Sequence, residues 1–312
     1  MPEIITIGEI IVEMMAKEVG QTFDLKGEWI GPFPSGAPAI FINQSAQIGS
    51  SSGIIGVVGD DEFGKLNIEK LKASGVQVDM IFEDKDSTTG VAFVSYKEDG
   101  SRNFIFHLKD SAAGKLDEMH IKEEYFERCK ILHIMGSALF NNAIQKAVIK
   151  AIEIAKRKKI LISFDPNIRK ELMKDPKIKE ILSFVYEACD IFLPSEGELS
   201  LFDDSKSQEE IIKKILQTKK YLVLKNGSSG CTGYSSSEKI ICSGIQVKEV
   251  DPTGAGDTFS GTFISCLNKG YTFRQAVEYA NIAGANAVTQ KGPMEGNCSL
   301  EELRYKYNIE HI

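Results

Sequence analysis

The chain has little with which to cross-link itself, span a membrane or grip a nucleic acid. Its six cysteines, Cys129, Cys189, Cys231, Cys242, Cys266 and Cys298, are scattered and form no C-x-x-C pair. That spacing predicts reduced, mostly buried thiols in a reducing compartment. The four histidines, His107, His120, His133 and His311, make no i, i+4 pair and no H-E-x-x-H, so a structural zinc is not expected. No apolar run approaches the roughly 20 residues of a membrane-spanning helix. The opening residues, Met1-Pro2-Glu3 through Glu9, lack the basic and apolar regions of a signal peptide, and the expected location is the cytoplasm. Basic residues are not in excess either. With 37 Lys and Arg against 44 Asp and Glu, the net charge is −7. That argues against a general nucleic-acid binder or an anionic-membrane binder, while leaving room for a local basic spot at a phosphate.

What is present supports a sizeable core. The chain has 312 residues, of which 42% are hydrophobic and 26% charged. One α/β domain with a small excursion fits that length. Strand-like runs occur at Ile4–Ile7, Ile54–Val58, Ile131–Ile134, Ile160–Phe164, Ile191–Leu193 and Tyr221–Leu224. Helical patterns separate several of them, as at Ala143–Ala155 and Ile211–Leu216. Asp61 reads as an N-cap for the apolar positions Phe63, Leu66, Ile68 and Leu71. Alternation of strand and helix predicts βαβ units on a parallel sheet. Asp99-Gly100 between two β-prone runs predicts a hairpin within Gly90–His107. A second hairpin is expected between Gly233 and Val250, followed by helices starting at Gly256, Phe273 and Ser299.

The segment richest in chemistry is Asp251-Pro252-Thr253-Gly254-Ala255-Gly256-Asp257-Thr258-Phe259-Ser260-Gly261. Its small residues let backbone N–H groups approach an anion, and the following helix aims its positive end at the same place. A carboxylate at Asp257 would repel a phosphate if anion binding were the only task. It makes sense as a base taking the proton of a hydroxyl that attacks phosphorus. The near-match to a phosphate loop at Gly59–Leu66 fails, because Leu66 stands where a hydroxyl should reach magnesium and three acidic residues crowd the loop.

Asp251–Gly261 resembles the C-terminal signature of the ribokinase-like (PfkB) carbohydrate kinases. Gly36-Ala37-Pro38-Ala39 with Gly53–Gly64 resembles the N-terminal signature, Asp165-Pro166-Asn167-Ile168-Arg169 a mid-chain segment, and Lys225–Gly230 the Gly-x-x-Gly loop beside the nucleotide. The resemblance implies a doubly wound α/β fold across residues 1–312, a mostly parallel sheet with helices on both faces, and a small β-strand lid from about 12–34 and 90–108. It implies Asp257 as catalytic base and Gly254, Ala255 and Gly256 as the anion hole. Lys225, Gly227, Gly230, Asn281, Ser195 and Glu198 would lie on the nucleotide side. Glu13, Gly36, Ala37, Arg169 and His107 would lie on the sugar side; for Arg169 a scaffold role, and for His107 a surface position, stay equally open. ATP and Mg2+ are the implied cofactors, with Glu198 acting indirectly on the metal. Asp251 and Thr253 match positions near a monovalent-cation site, so K+ activation is expected. A homodimer through the lid is the family expectation.

Two departures stand out. Ser195 replaces the Asn of the family's N-x-x-E, and Ile40 stands where Asn usually follows Gly-Ala-Pro-Ala. Leu108 occupies the place where keto-deoxygluconate kinases carry Arg, and Lys109 is one residue out of register. The expected substrate is therefore a ketohexose of the tagatose or fructose type. A 2-keto-3-deoxygluconate kinase, a nucleoside kinase and an inactive sugar- or nucleotide-binding regulator remain as alternatives.

Overall fold

The apolar runs become strands, and the polar punctuation between them becomes caps and turns. The computed structural model describes residues 1–168, 176–203 and 207–309. Its strands are β1 (Ile4–Ile7), β2 (Ile11–Ala16), β3 (Trp29–Ser35), β4 (Ser52–Gly59), β5 (Ile81–Asp84), β6 (Gly90–Tyr96), β7 (Arg102–His107), β8 (Ile131–Met135), β9 (Leu161–Asp165), β10 (Ile191–Phe192), β11 (Tyr221–Lys225), β12 (Gly230–Ser235) and β13 (Lys239–Ser243). The helices are α1 (Ala37–Gln47), α2 (Glu62–Ala73), α3 (Asn142–Lys158), α4 (Pro176–Ala188), α5 (Gln208–Thr218), α6 (Ala255–Asn268), α7 (Phe273–Ala287) and α8 (Leu300–Tyr307).

Nine strands form the main sheet in the order β13-β12-β11-β10-β9-β8-β1-β4-β5. From β11 to β5 every pairing is parallel; β12 and β13 join antiparallel. Alternate side chains of each strand go to opposite faces, and each face has its own core. Ile5, Ile7, Ile55, Val57, Leu132 and Ile134 pack with α3, α4 and α5. Ile4, Ile54, Val58, Ile131 and Met135 pack with α1, α6, α7 and α8. The result is a three-layer arrangement with a mostly parallel sheet between helices, as expected from the alternating pattern.

Local signals set the helix starts. Asp61 accepts from the Gly64 N–H and caps α2, and Asn141 caps α3 through the Ile144 N–H. Thr272 with Gln275, and Ser299 with Glu302, form reciprocal capping boxes at α7 and α8. His133 is a core residue: its Nδ1 lies 3.1 Å from the Ser163 hydroxyl, and its ring stacks on Phe41. Burial, helped by the Lys225 charge, holds its pKa well below the usual histidine value.

A separate four-stranded sheet, in the order β3-β2-β6-β7, sits where a lid would. The β6–β7 hairpin turns at the expected Asp99-Gly100. Strands β2 and β6 pair in parallel, so the hairpin is grafted onto the early segment. Along β7, Arg102, Phe104 and Phe106 share the half-buried face, whereas Asn103, Ile105 and His107 are exposed.

Candidate active site

The C-terminal ends of the parallel strands converge on one edge, where an open α/β sheet places its ligands. Gly254 precedes α6 at φ +77°, and a Cβ there would fall 2.3 Å from the Pro293 carbonyl oxygen. Only glycine fits that corner without moving the chain. Ala255 and Gly256 open the helix, so their N–H groups belong to the first turn, which has no intrahelical acceptor. Asp257 follows in the same turn, 5% exposed. It lines a cleft of about 770 Å³ together with Asp165, Asn167, Glu198, Lys225 and Gly254 to Gly256.

Asp165, at the end of β9, ties the cleft together. Its Oδ2 accepts from the Lys225 ammonium at 2.5 Å and from the Ser260 hydroxyl at 2.9 Å. Its Oδ1 accepts from the Asn167 N–H at 3.2 Å. The Asn167 side chain in turn donates from Nδ2 to Asp257 Oδ1 at 2.9 Å. The Lys225 to Asp165 ion pair is buried, with side chains 11% and 1% exposed. Glu198 accepts from the Ile168 N–H at 2.8 Å and the Ser195 N–H at 2.7 Å. Burial, then the neighbouring Asp165 charge, raises its pKa above the ordinary glutamate value; Lys225 and the two N–H donors oppose that. Ser195 thus meets Glu198 through its main chain, which its replacement of Asn does not alter.

Beside this cleft lies a second cavity of about 330 Å³. Lys225, Gly227, Gly230, Asn281, Ala255 and Gly256 line it, with Phe259 and Val288 among its apolar walls. Asn281 is held by its Nδ2, which donates to the Ser243 carbonyl at 2.9 Å. Lys225, Pro252, Ala255 and Gly256 border both cavities. A flat apolar group in one and a chain of phosphates reaching into the other suits that connection.

Under the lid a small pocket is lined by Glu9, Glu13, Gly36, Ala37, Phe104, Phe106 and Ser137. Glu13 accepts from the Ser35 hydroxyl at 2.6 Å, and Glu9 from the Ser137 hydroxyl at 3.2 Å. Gly36 has φ +108°, and a Cβ would collide with the Glu9 carbonyl oxygen at 2.3 Å. His107 is on the opposite face of β7 from Phe104 and Phe106, with its ring edge-on to Phe93. The period-two pleat separates it from that pocket. Arg169 and His311 lie outside the described residues.

Asp251 is fully buried. Its Oδ1 accepts from the Thr253 N–H at 3.0 Å and hydroxyl at 2.7 Å, and its Oδ2 from the Gly292 N–H at 3.0 Å. Arg102 reaches from the lid to donate to Thr253 Oγ1 at 2.9 Å. The lid therefore touches the loop that leads into the start of α6.

The pfkB family carbohydrate kinase model matches residues 1–299. The chain belongs to that family. Among curated relatives, probable fructokinase-5 of Arabidopsis thaliana is 30% identical over 301 residues, covering 93% of each chain. Among solved structures, an E. coli protein provisionally described as ribokinase II, in complex with ATP and Mg2+, is 45% identical. It superposes with a TM-score of 0.94 over 99% of both chains. A double mutant of fructokinase from Vibrio cholerae, bound to fructose, ADP and a potassium ion, is 27% identical with a TM-score of 0.85 over 97% of each. This carbohydrate kinase thus has the ribokinase-like fold and the activity class its motifs point to.

Some residues of the site escape sequence reasoning. Glu9, Ser137, Phe104 and Phe106 join the lid pocket from three separate segments. For the two phenylalanines a signal existed, since Arg102, Phe104 and Phe106 recur at period two within the hairpin. Nothing in the chain pattern announces that Ser137 meets Glu9 across 128 positions.

Proposed function

We infer that this carbohydrate kinase transfers the γ-phosphoryl group of ATP to a hydroxyl of a neutral ketohexose, of the tagatose or fructose type. One observation carries the reading: Asp257 and the small-residue start of α6 share a cleft that borders the apolar cavity and is also lined by Arg102, at the turn end of the lid hairpin. In this reading the adenine side of ATP occupies the cavity beside Asn281, and its phosphates run past Lys225 to the α6 N–H groups. Those groups and the helix end oppose the charge on the group in transfer. Asp257 takes the proton of the attacking alcohol. The lid excludes water, which would otherwise compete as acceptor.

The preference for a neutral sugar is supported by Glu9 and Glu13 under the lid. Carboxylates accept hydroxyl protons and repel a substrate carboxylate. The curated relatives include fructokinases, which favours a ketohexose. Glu13, Gly36 and Ala37 are the sugar-side residues of this reading. His107, by its place on β7, would serve the outer surface instead.

Among the described residues no group of three or more His, Cys, Asp or Glu stands ready to hold a metal ion. In this reading magnesium is carried on the nucleotide phosphates, with Glu198 acting on it through water. When bound, Mg2+ neutralises phosphate charge. Asp251 and Thr253 are the proposed monovalent-cation residues. In this reading residues 1–312 act as one domain, with 12–34 and 90–108 as its lid, in the cytoplasm, as a homodimer through the lid.

A coupled assay of ADP release tests the substrate. At fixed ATP and Mg2+, tagatose or fructose is expected to stimulate turnover well above ribose, adenosine and 2-keto-3-deoxygluconate. Strongest stimulation by the acid sugar would overturn the neutral assignment. Bound ATP with no stimulation by any sugar would favour a regulator.

A further inference from the structure

We propose that Asn167 is a positioning residue for the base, holding the Asp257 carboxylate in its reactive orientation and keeping it ionised. This rests on the reading of Asp257 as the base. The geometry comes from four linked observations. Asn167 Nδ2 donates to Asp257 Oδ1 at 2.9 Å. An amide N–H given to a carboxylate favours its charged form and fixes its plane. The backbone of Asn167 lies in the left-handed region at φ +39°, where asparagine is one of the few non-glycine residues commonly found. Its N–H returns to Asp165 Oδ1 at 3.2 Å, so the side chain is aimed by a tight turn. That turn is pinned at its root, because Asp165 is held by Lys225 and Ser260.

The chain of contacts runs from the Lys225 ammonium through Asp165 and Asn167 to Asp257. It joins the phosphate side of the cleft to the atom that takes the proton. Among the described residues, the other charged groups lining this cleft are Arg102, Lys179, Glu196 and Glu198. Their contributions to the base stay constant when Asn167 alone is changed, provided the turn survives. Glycine keeps the turn because it accepts positive φ at no steric cost, yet it removes the amide. Aspartate also tolerates the turn but puts a second carboxylate against the first.

The test is the pH profile of kcat/KM for the sugar in wild type, N167G and N167D, with melting temperatures measured alongside. Loss of the donor raises the pKa of the base, so the acid limb moves toward higher pH. For N167G the expected shift is about one pH unit, with kcat down about 10–100-fold and KM for ATP nearly unchanged. N167D is expected to shift the limb further. A merely structural role for Asn167 would lower the melting temperature and leave the limb in place. Wild-type limbs in both variants, with D257A inactive, would overturn the positioning role alone. Near-normal turnover in D257A would overturn the base reading itself and this inference with it.

Discussion

Lys225 is placed to serve structure and, in the proposed reading, nucleotide binding as well. Its ammonium is buried against Asp165 and borders both cavities. Breaking a buried pair by removing one partner leaves the other charge uncompensated, at about 3–5 kcal/mol. K225M is therefore expected to lose stability of that order in chemical denaturation. The double variant K225M/D165N should recover much of the loss. It removes the orphaned charge; the amide oxygen can take the Asn167 N–H at the Oδ1 place, and the amide NH2 at the Oδ2 place can donate to the Ser260 hydroxyl oxygen. Equal instability of the single and double variants would mean the pair is not coupled. KM for ATP should rise in both, because the cation itself is gone.

Among the elements, α2 illustrates a cap that also fastens a loop. Asp61 accepts from the Gly64 N–H at 2.8 Å, the Thr89 N–H at 2.7 Å and the Thr89 hydroxyl at 2.7 Å. Burial alone would raise its pKa, but the donors from Thr89 and Gly64 outweigh it and hold the carboxyl below the ordinary 3.8. A depressed carboxylate contributes stability that is present above the unfolded pKa and lost as pH falls through the folded one. D61A is expected to cost about 1–2 kcal/mol at neutral pH. The gap between wild-type and D61A melting temperatures should close below pH 3.8. A gap that persists at pH 2 would assign the effect to packing instead.

The same scale shows what the chain pattern could and could not reveal. Strands β1, β4, β8, β9 and β11 were legible because they are short apolar runs bounded by turn residues, and their buried faces demand that pattern. Helix α2 was legible from its cap and periodicity, and α3 and α5 from periodicity. Strand β5, Ile-Phe-Glu-Asp, lies at a sheet edge and is only half-buried, so its composition carries no strand signal. Strand β3 contains two prolines and a glycine, which read as loop; it sits at the edge of the lid sheet, where a missing N–H is tolerated. In the site, Gly254 to Asp257 was visible as one contiguous string. The Asp165, Asn167 and Asp257 contacts span 90 positions and needed the fold to bring them together.

For the whole molecule, the question is what covers the outer face of the four-stranded sheet. Strands β3 and β7 are edges, and Ile30 and Ile105 are 38% and 41% exposed on them. An open edge with apolar side chains seeks a partner. Light scattering is expected to give a dimer for wild type and a monomer for I105E, with the melting temperature little changed. A monomeric wild type would remove the lid-to-lid assembly and leave the rest of the account standing. Arg102 ties the hairpin to Thr253 in the loop that leads into α6.

The carboxylate of Asp257 is central to the proposed reaction, and the most direct measurement is sugar-dependent ADP release by D257A beside nucleotide binding by the same protein. Turnover should fall about 10²–10⁴-fold while the affinity for ATP stays near wild type. A D257A protein that phosphorylates the sugar at close to the normal rate would contradict it.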